Sequence, residues 1–289
     1  EILRCLVGSE MCIRDRIYST SYQNKIYNQI AKLKKNKNYT IEHPLLITNP
    51  YGTNTTSVYM YFKTSDELQA TYTIHCEGYN DFSRTLNNNT LSGYTTNHEY
   101  LLVGAIPGQI NTITVTLTNK QGKPVDTLSW SYKAPSLQGG DQYLTVDCDD
   151  SNASSLSKGL YTVLGNDVTE DSEEQAYMRL YDNDGILRSE IPIISYRSHR
   201  ILFEDNTMYF SISSTKIVGM DQTGYISKIY DTGNYKLHHD YIFDGNNNLL
   251  VLASEKNAKT SEDKIIMIEK DSGNTVSYTH LTLPTNSLV

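Results

Sequence analysis

Residues 237–254 read Leu-His-His-Asp-Tyr-Ile-Phe-Asp-Gly-Asn-Asn-Asn-Leu-Leu-Val-Leu-Ala-Ser, and this stretch repeats a pattern that lies 40 residues earlier in the chain. Alignment of His239 with His199 places Phe243 on Phe203 and continues to residue 254 without a gap. In both copies a turn of acidic residues and Asn divides two apolar runs, which predicts a β-hairpin. Repeats of short strands about every 40–50 residues are typical of a β-propeller. We therefore expect His199 and His239 to begin equivalent strands of adjacent blades and to face the same side of one channel.

Three further segments of the C-terminal half end an apolar strand in an acidic turn, at Asp182, Asp221 and Asp271. Their spacing fits the same period if the polar residues 255–263 are an insertion. Asp182 opens an Asp-x-Asp-Gly sequence that lacks the first ligand position and the distal Glu of a calcium loop, so we expect a turn there. Residues 138–275 are predicted to form about three blades of a partial propeller.

Residues 44–137 have the period of two that is typical of half-buried strands. Apolar alternation at 57–63, 68–74 and 112–118 is separated by turn-forming clusters, one of them at Thr64-Ser65-Asp66. About six or seven short strands over this length predict a β-sandwich of fibronectin or immunoglobulin type. The single Trp, Trp130, is expected in the core of that domain.

Residues 17–43 are predicted to form a short helix or a linker. Apolar residues from Tyr22 to Leu33 recur at helical spacing, and Ser19, Thr20 or Ser21 could serve as the N-cap. The basic run at residues 32–37 is interpreted as a solvated helix face.

The two ends of the chain resemble translated sequencing-library adapter, so residues 1–16 and 276–289 are expected to be non-native tails without ordered packing. This interpretation removes Cys5, Cys12 and His280 from the candidate site residues. The remaining cysteines, Cys76 and Cys148, have no metal-ligand spacing, so neither a zinc site nor a disulfide scaffold is predicted.

Composition narrows the classes of partner. The chain has 289 residues, a net charge of −8, a pI of about 5.4 and a mean hydropathy of −0.47. A general attraction to nucleic acid or to an anionic membrane is therefore disfavoured. No apolar run reaches the roughly 18 residues of a membrane-spanning helix.

Three motifs together resemble the bacterial arylsulfate sulfotransferase family over residues 44–275. They are Asn49-Pro50-Tyr51-Gly52-Thr53 ahead of a strand, the strand end Met220-Asp221-Gln222-Thr223-Gly224, and the His238-His239-Asp240 segment. The resemblance implies an all-β chain, with an N-terminal β-sandwich followed by the first blades of a six-bladed propeller. It also implies transfer of a sulfuryl group from an aryl sulfate donor to a phenolic acceptor through a sulfated histidine, without a cofactor, in a secreted, periplasmic or cell-surface protein.

The resemblance suggests a role for each candidate site residue. His239 would be the channel histidine that supports the sulfuryl group, with His238 as the alternative in register and Asp240 as its orienting partner. His199 and Arg200 would add charge for substrate binding, and no metal is expected. The family's nucleophilic histidine lies in later blades for which this chain has no residues, so we expect the chain to be an inactive N-terminal fragment with an exposed blade edge that could favour oligomers.

Two other classes of function stay open at this stage. A sandwich joined to a propeller also suits a non-enzymatic surface-binding or adhesion protein, because fold alone does not fix function. A propeller lyase or hydrolase that uses channel histidines with a metal is the second alternative. Further channel His and Arg residues in later blades would favour sulfuryl transfer, and their absence would favour binding.

Overall fold

The computed structural model describes residues 16–87, 92–139, 158–165, 176–194, 197–258 and 263–280. In this part of the chain the structure is all-β apart from one long helix, α1. The helix and strands are α1 (Thr20–Asn36), β1 (Leu45–Thr48), β2 (Val58–His75), β3 (Phe82–Leu86), β4 (Thr95–Leu102), β5 (Ile110–Thr118), β6 (Pro124–Lys133), β7 (Tyr161–Val163), β8 (Ala176–Tyr181), β9 (Leu187–Ile193), β10 (Ile201–Glu204), β11 (Thr207–Ser213), β12 (Lys216–Asp221), β13 (Ile226–Asp231), β14 (Tyr235–Phe243), β15 (Asn248–Glu255), β16 (Asp263–Glu269) and β17 (Thr275–His280).

Strand β2 organises the N-terminal domain because both halves of the domain pair with it. Its first half pairs with β1 and β4, its second half pairs with β3 and β5, and β6 completes the sheet against β5. The turn predicted at Thr64-Ser65-Asp66 is wrong, since the strand runs through these residues with a register shift between Lys63 and Leu68. The segment contains no Gly or Pro to reverse the chain, and an irregularity of this kind bends a strand without ending it.

Helix α1 begins after Ser19, whose hydroxyl accepts a hydrogen bond from the Tyr22 amide at 3.3 Å. Its buried face includes Gln23, which is fully enclosed and joins three parts of the chain. The Gln23 amide donates to the backbone oxygens of Ile17 and Tyr51 and accepts from the Ile226 amide. The helix is therefore packed between the sandwich and the later strands, while Lys32 and Lys35 of its basic run face solvent. No helix in the described part of the chain is long and apolar enough to cross a membrane.

The later strands form consecutive antiparallel sheets in chain order. Strands β7–β9 form a three-stranded sheet, and β10–β13 and β14–β17 form two four-stranded sheets. This repetition is the one that the hairpin pattern predicted. No closed ring is formed by the described strands, so the propeller stays a prediction.

The two aligned hairpins differ in their turns, so the gap-free alignment is wrong by one residue. Phe203 pairs with Met208 in the first hairpin, whereas Phe243 pairs with Leu249 in the second. The first turn is closed by Asp205 and Asn206, both with positive φ. The second turn is one residue longer, and the Asp244 carboxylate caps it by accepting from the amides of Asn246 and of Asn248, the first residue of β15.

Residues 276–280 belong to an ordered strand, which contradicts our expectation that residues 276–289 lack packing with the body. Strand β17 pairs with β16 along its length, from Ile268↔Thr275 to Lys264↔His280. The outer edge of β16 offers unpaired backbone groups, and a strand added there satisfies them. Residues 281–289 and 1–15, and with them Cys5 and Cys12, lie outside the described residues, as does Cys148. Cys76 is a buried free thiol.

A buried polar layer joins the sandwich to the first of the later sheets. Arg188 of β9 is 1% exposed, pairs with Asp182 at 2.5 Å, and donates to the backbone oxygens of Gly104 and Asn80 in sandwich loops. Arg179 pairs with Glu190 at 2.9 Å, and neither side chain is accessible to more than a trace of solvent. Burial raises the pKa of Glu190. The positive charge of Arg179 opposes that rise, and so do hydrogen bonds from the Gln138 amide, the Gly139 amide and the Thr55 hydroxyl.

His98 is a fully buried histidine of the sandwich core. Its ring stacks on Phe62 at 4.4 Å, and its two nitrogens lie within hydrogen-bonding distance of the Tyr100 and Thr64 hydroxyls. Burial lowers the pKa of His98 to about 4. The ring is therefore neutral in the folded protein at physiological pH.

We expect this histidine to make the protein less stable as the pH is lowered. An unfolded His binds its proton near pH 6.5 and the folded one near 4, so the unfolded state binds more protons between these values and stability falls as pH decreases. The loss is about 3 kcal/mol by pH 4, which chemical denaturation across this range would measure. His98→Gln should abolish this pH-dependent loss of stability. His75→Gln, at an exposed site, should leave the loss unchanged. Equal pH dependence in wild type and His98→Gln would contradict the prediction.

Candidate functional site

The three residues His238, His239 and Asp240 lie in a bulge of β14. Leu237 pairs with Ala253 and Tyr241 pairs with Val251, so three residues of β14 stand opposite one residue of β15. The expectation that His239 begins its strand is therefore wrong. Strand β14 begins at Tyr235, because the residues before the bulge also find partners on β15. Bulges re-aim side chains and are frequent beside active sites.

The backbone of His239 is held in the left-handed region, with a φ of 70°. A residue with a side chain pays a steric penalty in this region that costs on the order of 1 kcal/mol or more, and Gly or Asn would avoid most of it. Local strain of this kind persists where the surrounding structure enforces it, and it is concentrated at functional sites. His239 is also exposed to solvent, so the imidazole is accessible.

The two imidazoles form a contacting pair. The ring centres of His238 and His239 are 4.1 Å apart, with the planes tilted by 59°. Nδ1 of His238 lies 3.3 Å from Oδ1 of Asp263 on the neighbouring strand β16, but without the angles of a hydrogen bond. The Asp263 carboxylate is thus the charged neighbour of His238, and the neighbour of the His239 ring is the His238 ring itself.

Asp240 does not orient His239 as the sequence suggested, because its carboxylate faces the preceding sheet. Nη1 of Arg200 lies 2.8 Å from both carboxylate oxygens of Asp240, and the Tyr241 amide donates to Oδ1. The structure therefore brings the two aligned repeats together through this pair. Both side chains are about half exposed, so the pair is accessible to a ligand.

A buried hydrogen-bond network fixes this arrangement. The Tyr241 hydroxyl accepts from the Ser211 amide at 2.9 Å and donates to the Arg200 backbone oxygen. The Ser211 hydroxyl in turn accepts from the His199 amide at 2.8 Å. Burial raises the pKa of Tyr241, so this phenol stays protonated as the donor to Arg200.

Tyr241 is a positioning residue that the sequence motifs did not single out. The signal was available, since the aligned position in the first repeat is Ile201 and only the second repeat carries a hydroxyl there. His199 is half-buried and is held by its backbone, while Arg197 is exposed.

The cluster presents a guanidinium, two imidazoles and a carboxylate on one accessible face. A guanidinium suits the oxygens of a sulfate or phosphate ester, and an imidazole can act as a nucleophile, an acid or a base. Within the described residues, no group of three or more His, Cys, Asp and Glu side chains is arranged to hold a metal ion. Two clefts, of about 280 and 330 Å³, are lined by other residues and lie away from this cluster.

Comparison with known families matches two domain models to the chain. The arylsulfotransferase (ASST) model matches residues 145–283, which include the histidine cluster, and the arylsulfotransferase Ig-like domain model matches residues 45–135. The second match confirms that the N-terminal sandwich is of immunoglobulin type. No curated protein sequence matches the chain.

Proposed function

The chain belongs to the arylsulfotransferase family, and from that premise we propose that it contributes the sulfuryl-binding half of a site that transfers a sulfuryl group from an aryl sulfate to a phenol. The observation that carries the proposal is the cluster in which His239 sits on a strained bulge beside the Arg200–Asp240 pair. Family membership indicates the type of reaction, and the cluster contains a guanidinium and two imidazoles that suit it.

The proposed reaction proceeds in two displacements at sulfur. A histidine nitrogen attacks the sulfur of the aryl sulfate, the sulfur–oxygen bond to the aryl group breaks, and the phenolate leaves with a proton from an acid. The acceptor phenol then loses its proton to a base and its oxygen attacks the sulfur of the sulfohistidine, the nitrogen–sulfur bond breaks, and the histidine is released as the new aryl sulfate forms. Charge spreads over the sulfuryl oxygens in such a loose transition state, as in phosphoryl transfer, so placed cations and hydrogen-bond donors lower the barrier.

Each cluster residue has a proposed role in these steps. His239 donates a hydrogen bond to a sulfuryl oxygen, and His238, beside the Asp263 carboxylate, is the proton donor to the leaving phenolate. Arg200 binds the sulfate group and Asp240 holds the guanidinium in place until the substrate arrives. His199 lies beside Arg200, and its backbone bond to Ser211 keeps it there.

We propose that the nucleophilic histidine is supplied by residues outside these 289. Among the described histidines outside the cluster, His98 is enclosed in the sandwich core, His43 and His75 lie on the sandwich surface, and His280 ends β17 in the segment that resembles adapter sequence. Later blades of a six-bladed propeller would place a nucleophile across a channel from His239. The family also suggests that the protein acts in a secreted, periplasmic or cell-surface setting.

The proposal is tested with p-nitrophenyl sulfate as the donor and phenol as the acceptor. A family member that aligns across residues 45–283 and continues beyond them should form phenyl sulfate with ping-pong kinetics. The 289-residue chain alone should release no p-nitrophenol. A burst of p-nitrophenol from this chain would place the nucleophile within it, and absence of transfer by the longer protein would contradict the proposed reaction.

A further inference from the structure

A cleft of about 280 Å³ opens where helix α1, the sandwich and the second of the later sheets meet. One wall is the helix, with Tyr27, Ile30, Ala31 and Lys34. The sandwich contributes Tyr51 and Glu99, and two hairpin turns contribute residues 205–207 and 221–223. The cleft contains none of the histidine cluster, so a ligand bound here would be independent of the proposed sulfuryl transfer.

Three carboxylates line this cleft, and two of them are already compensated. Glu99 accepts from Lys34 at 2.7 Å with one oxygen and from the Tyr59 hydroxyl at 2.6 Å with the other. Asp205 is paired with Lys270 at 3.0 Å. The remaining carboxylate is that of Asp221.

Asp221 has one oxygen in use and one free within the described residues. Its Oδ1 accepts from the amide and hydroxyl of Thr223 and from the Tyr225 amide, at 2.7–3.1 Å. Its Oδ2 receives no hydrogen bond and no cation from the described part of the chain. Burial raises the pKa of Asp221, and the charge of Glu99 raises it further. A partly buried carboxylate with one oxygen that no described residue contacts favours a cation beside it.

Tyr51 presents a second unused polar atom to the same space. The side chain is 3% exposed, and no described residue forms a hydrogen bond with its hydroxyl. Burial raises the pKa of Tyr51, and the charges of Asp221 and Glu99 add to that rise, so the hydroxyl lies among the acidic groups of the cleft. Its ring is also part of an aromatic wall, with Tyr225 5.4 Å from Tyr51 and 5.2 Å from Tyr27.

We propose that this cleft binds a small primary ammonium ion. The ammonium group donates hydrogen bonds to Oδ2 of Asp221 and to the Tyr51 hydroxyl oxygen, which satisfies both unused atoms. An ammonium beside tyrosine rings gains a further attraction from the ring faces. A short alkyl chain then lies along Ile30 and Ala31 of α1. An anion is disfavoured because the lining carries three carboxylates and one lysine.

The probe is n-butylammonium, titrated into the 289-residue chain by calorimetry, with n-butanol as the uncharged control. We expect saturable binding with a dissociation constant of about 1 mM for the amine and no saturable binding of the alcohol. Absence of saturation by the amine, or equal binding of the alcohol, would overturn the proposal.

Asp221→Asn is the discriminating variant, because Asn keeps Oδ1 as the acceptor for the turn and replaces only the unused oxygen. It should weaken amine binding by about tenfold or more, as expected for loss of a charge-assisted hydrogen bond. Asp205→Asn is the matched control at a carboxylate already paired with Lys270, and it should change the affinity by less than about twofold. If Asp221→Asn does not fold, Tyr51→Phe takes its place and should weaken binding by about threefold or more. Unchanged affinity in the folded variant would refute the assignment.

Discussion

Replacement of Arg188 by Met is expected to lower the free energy of unfolding by about 3–5 kcal/mol, the largest effect of any single substitution that we predict. Arg188 is enclosed between the sandwich and the first of the later sheets, and Met fills much of its volume without its charge. The substitution leaves the Asp182 carboxylate buried without its cation. It also leaves the backbone oxygens of Gly104 and Asn80 without their donor. An uncompensated buried charge costs far more than the net worth of the original pair.

Arg200→Met is the matched control, because it removes the same side chain from an ion pair at the surface. Arg200 and Asp240 are 41% and 53% exposed, so water replaces the lost partner. The expected loss is below about 1 kcal/mol. Urea denaturation monitored by tyrosine fluorescence would measure both variants. A loss at Arg188 no greater than that at Arg200 would show that the buried layer does not stabilise the junction.

The same layer explains why the junction could not be predicted from sequence. The motif Asn49-Pro50-Tyr51-Gly52-Thr53 was recognised only as a stretch that precedes a strand. In the structure, the loop that it opens also bonds across the junction: the Thr53 hydroxyl donates to the Gly224 oxygen, and the Thr56 hydroxyl donates to the Arg188 oxygen. A sequence pattern reports the local turn chemistry of these residues, but it holds no information on partners more than a hundred residues away.

The hairpin repeat could be predicted because its contacts are local in the sequence. Alternating apolar residues around an Asp-Asn or Asp-Gly turn specify a hairpin through contacts between near neighbours. The bulge at His239 was not predictable, since it depends on which residues of β15 pair with each end of β14. The Arg200–Asp240 pair was missed for the same reason, although both residues had been selected. Their contact depends on how adjacent sheets pack.

In a transfer-competent member of the family, an Ala substitution at the histidine that aligns with His239 should lower the rate of the first half-reaction by about 100- to 1,000-fold. If His239 donates a hydrogen bond to a sulfuryl oxygen, its loss removes an interaction that strengthens as charge develops in the transition state. The donor should still bind, because the guanidinium aligned with Arg200 is retained. Stopped-flow release of p-nitrophenol from p-nitrophenyl sulfate would measure this step directly.

The strained backbone at His239 provides the control that separates chemistry from folding. In the same transfer-competent family member, Gly at the position that aligns with His239 removes the same imidazole but suits the positive φ seen here, so the variant should be no less stable than wild type. Both variants should lose activity to a similar degree if the imidazole acts on the substrate. Should the Gly variant release p-nitrophenol at the wild-type rate, His239 would have only a structural role in the bulge. A large loss in the Ala and Gly variants, with unchanged thermal stability in the Gly variant, is the result that the proposed role requires.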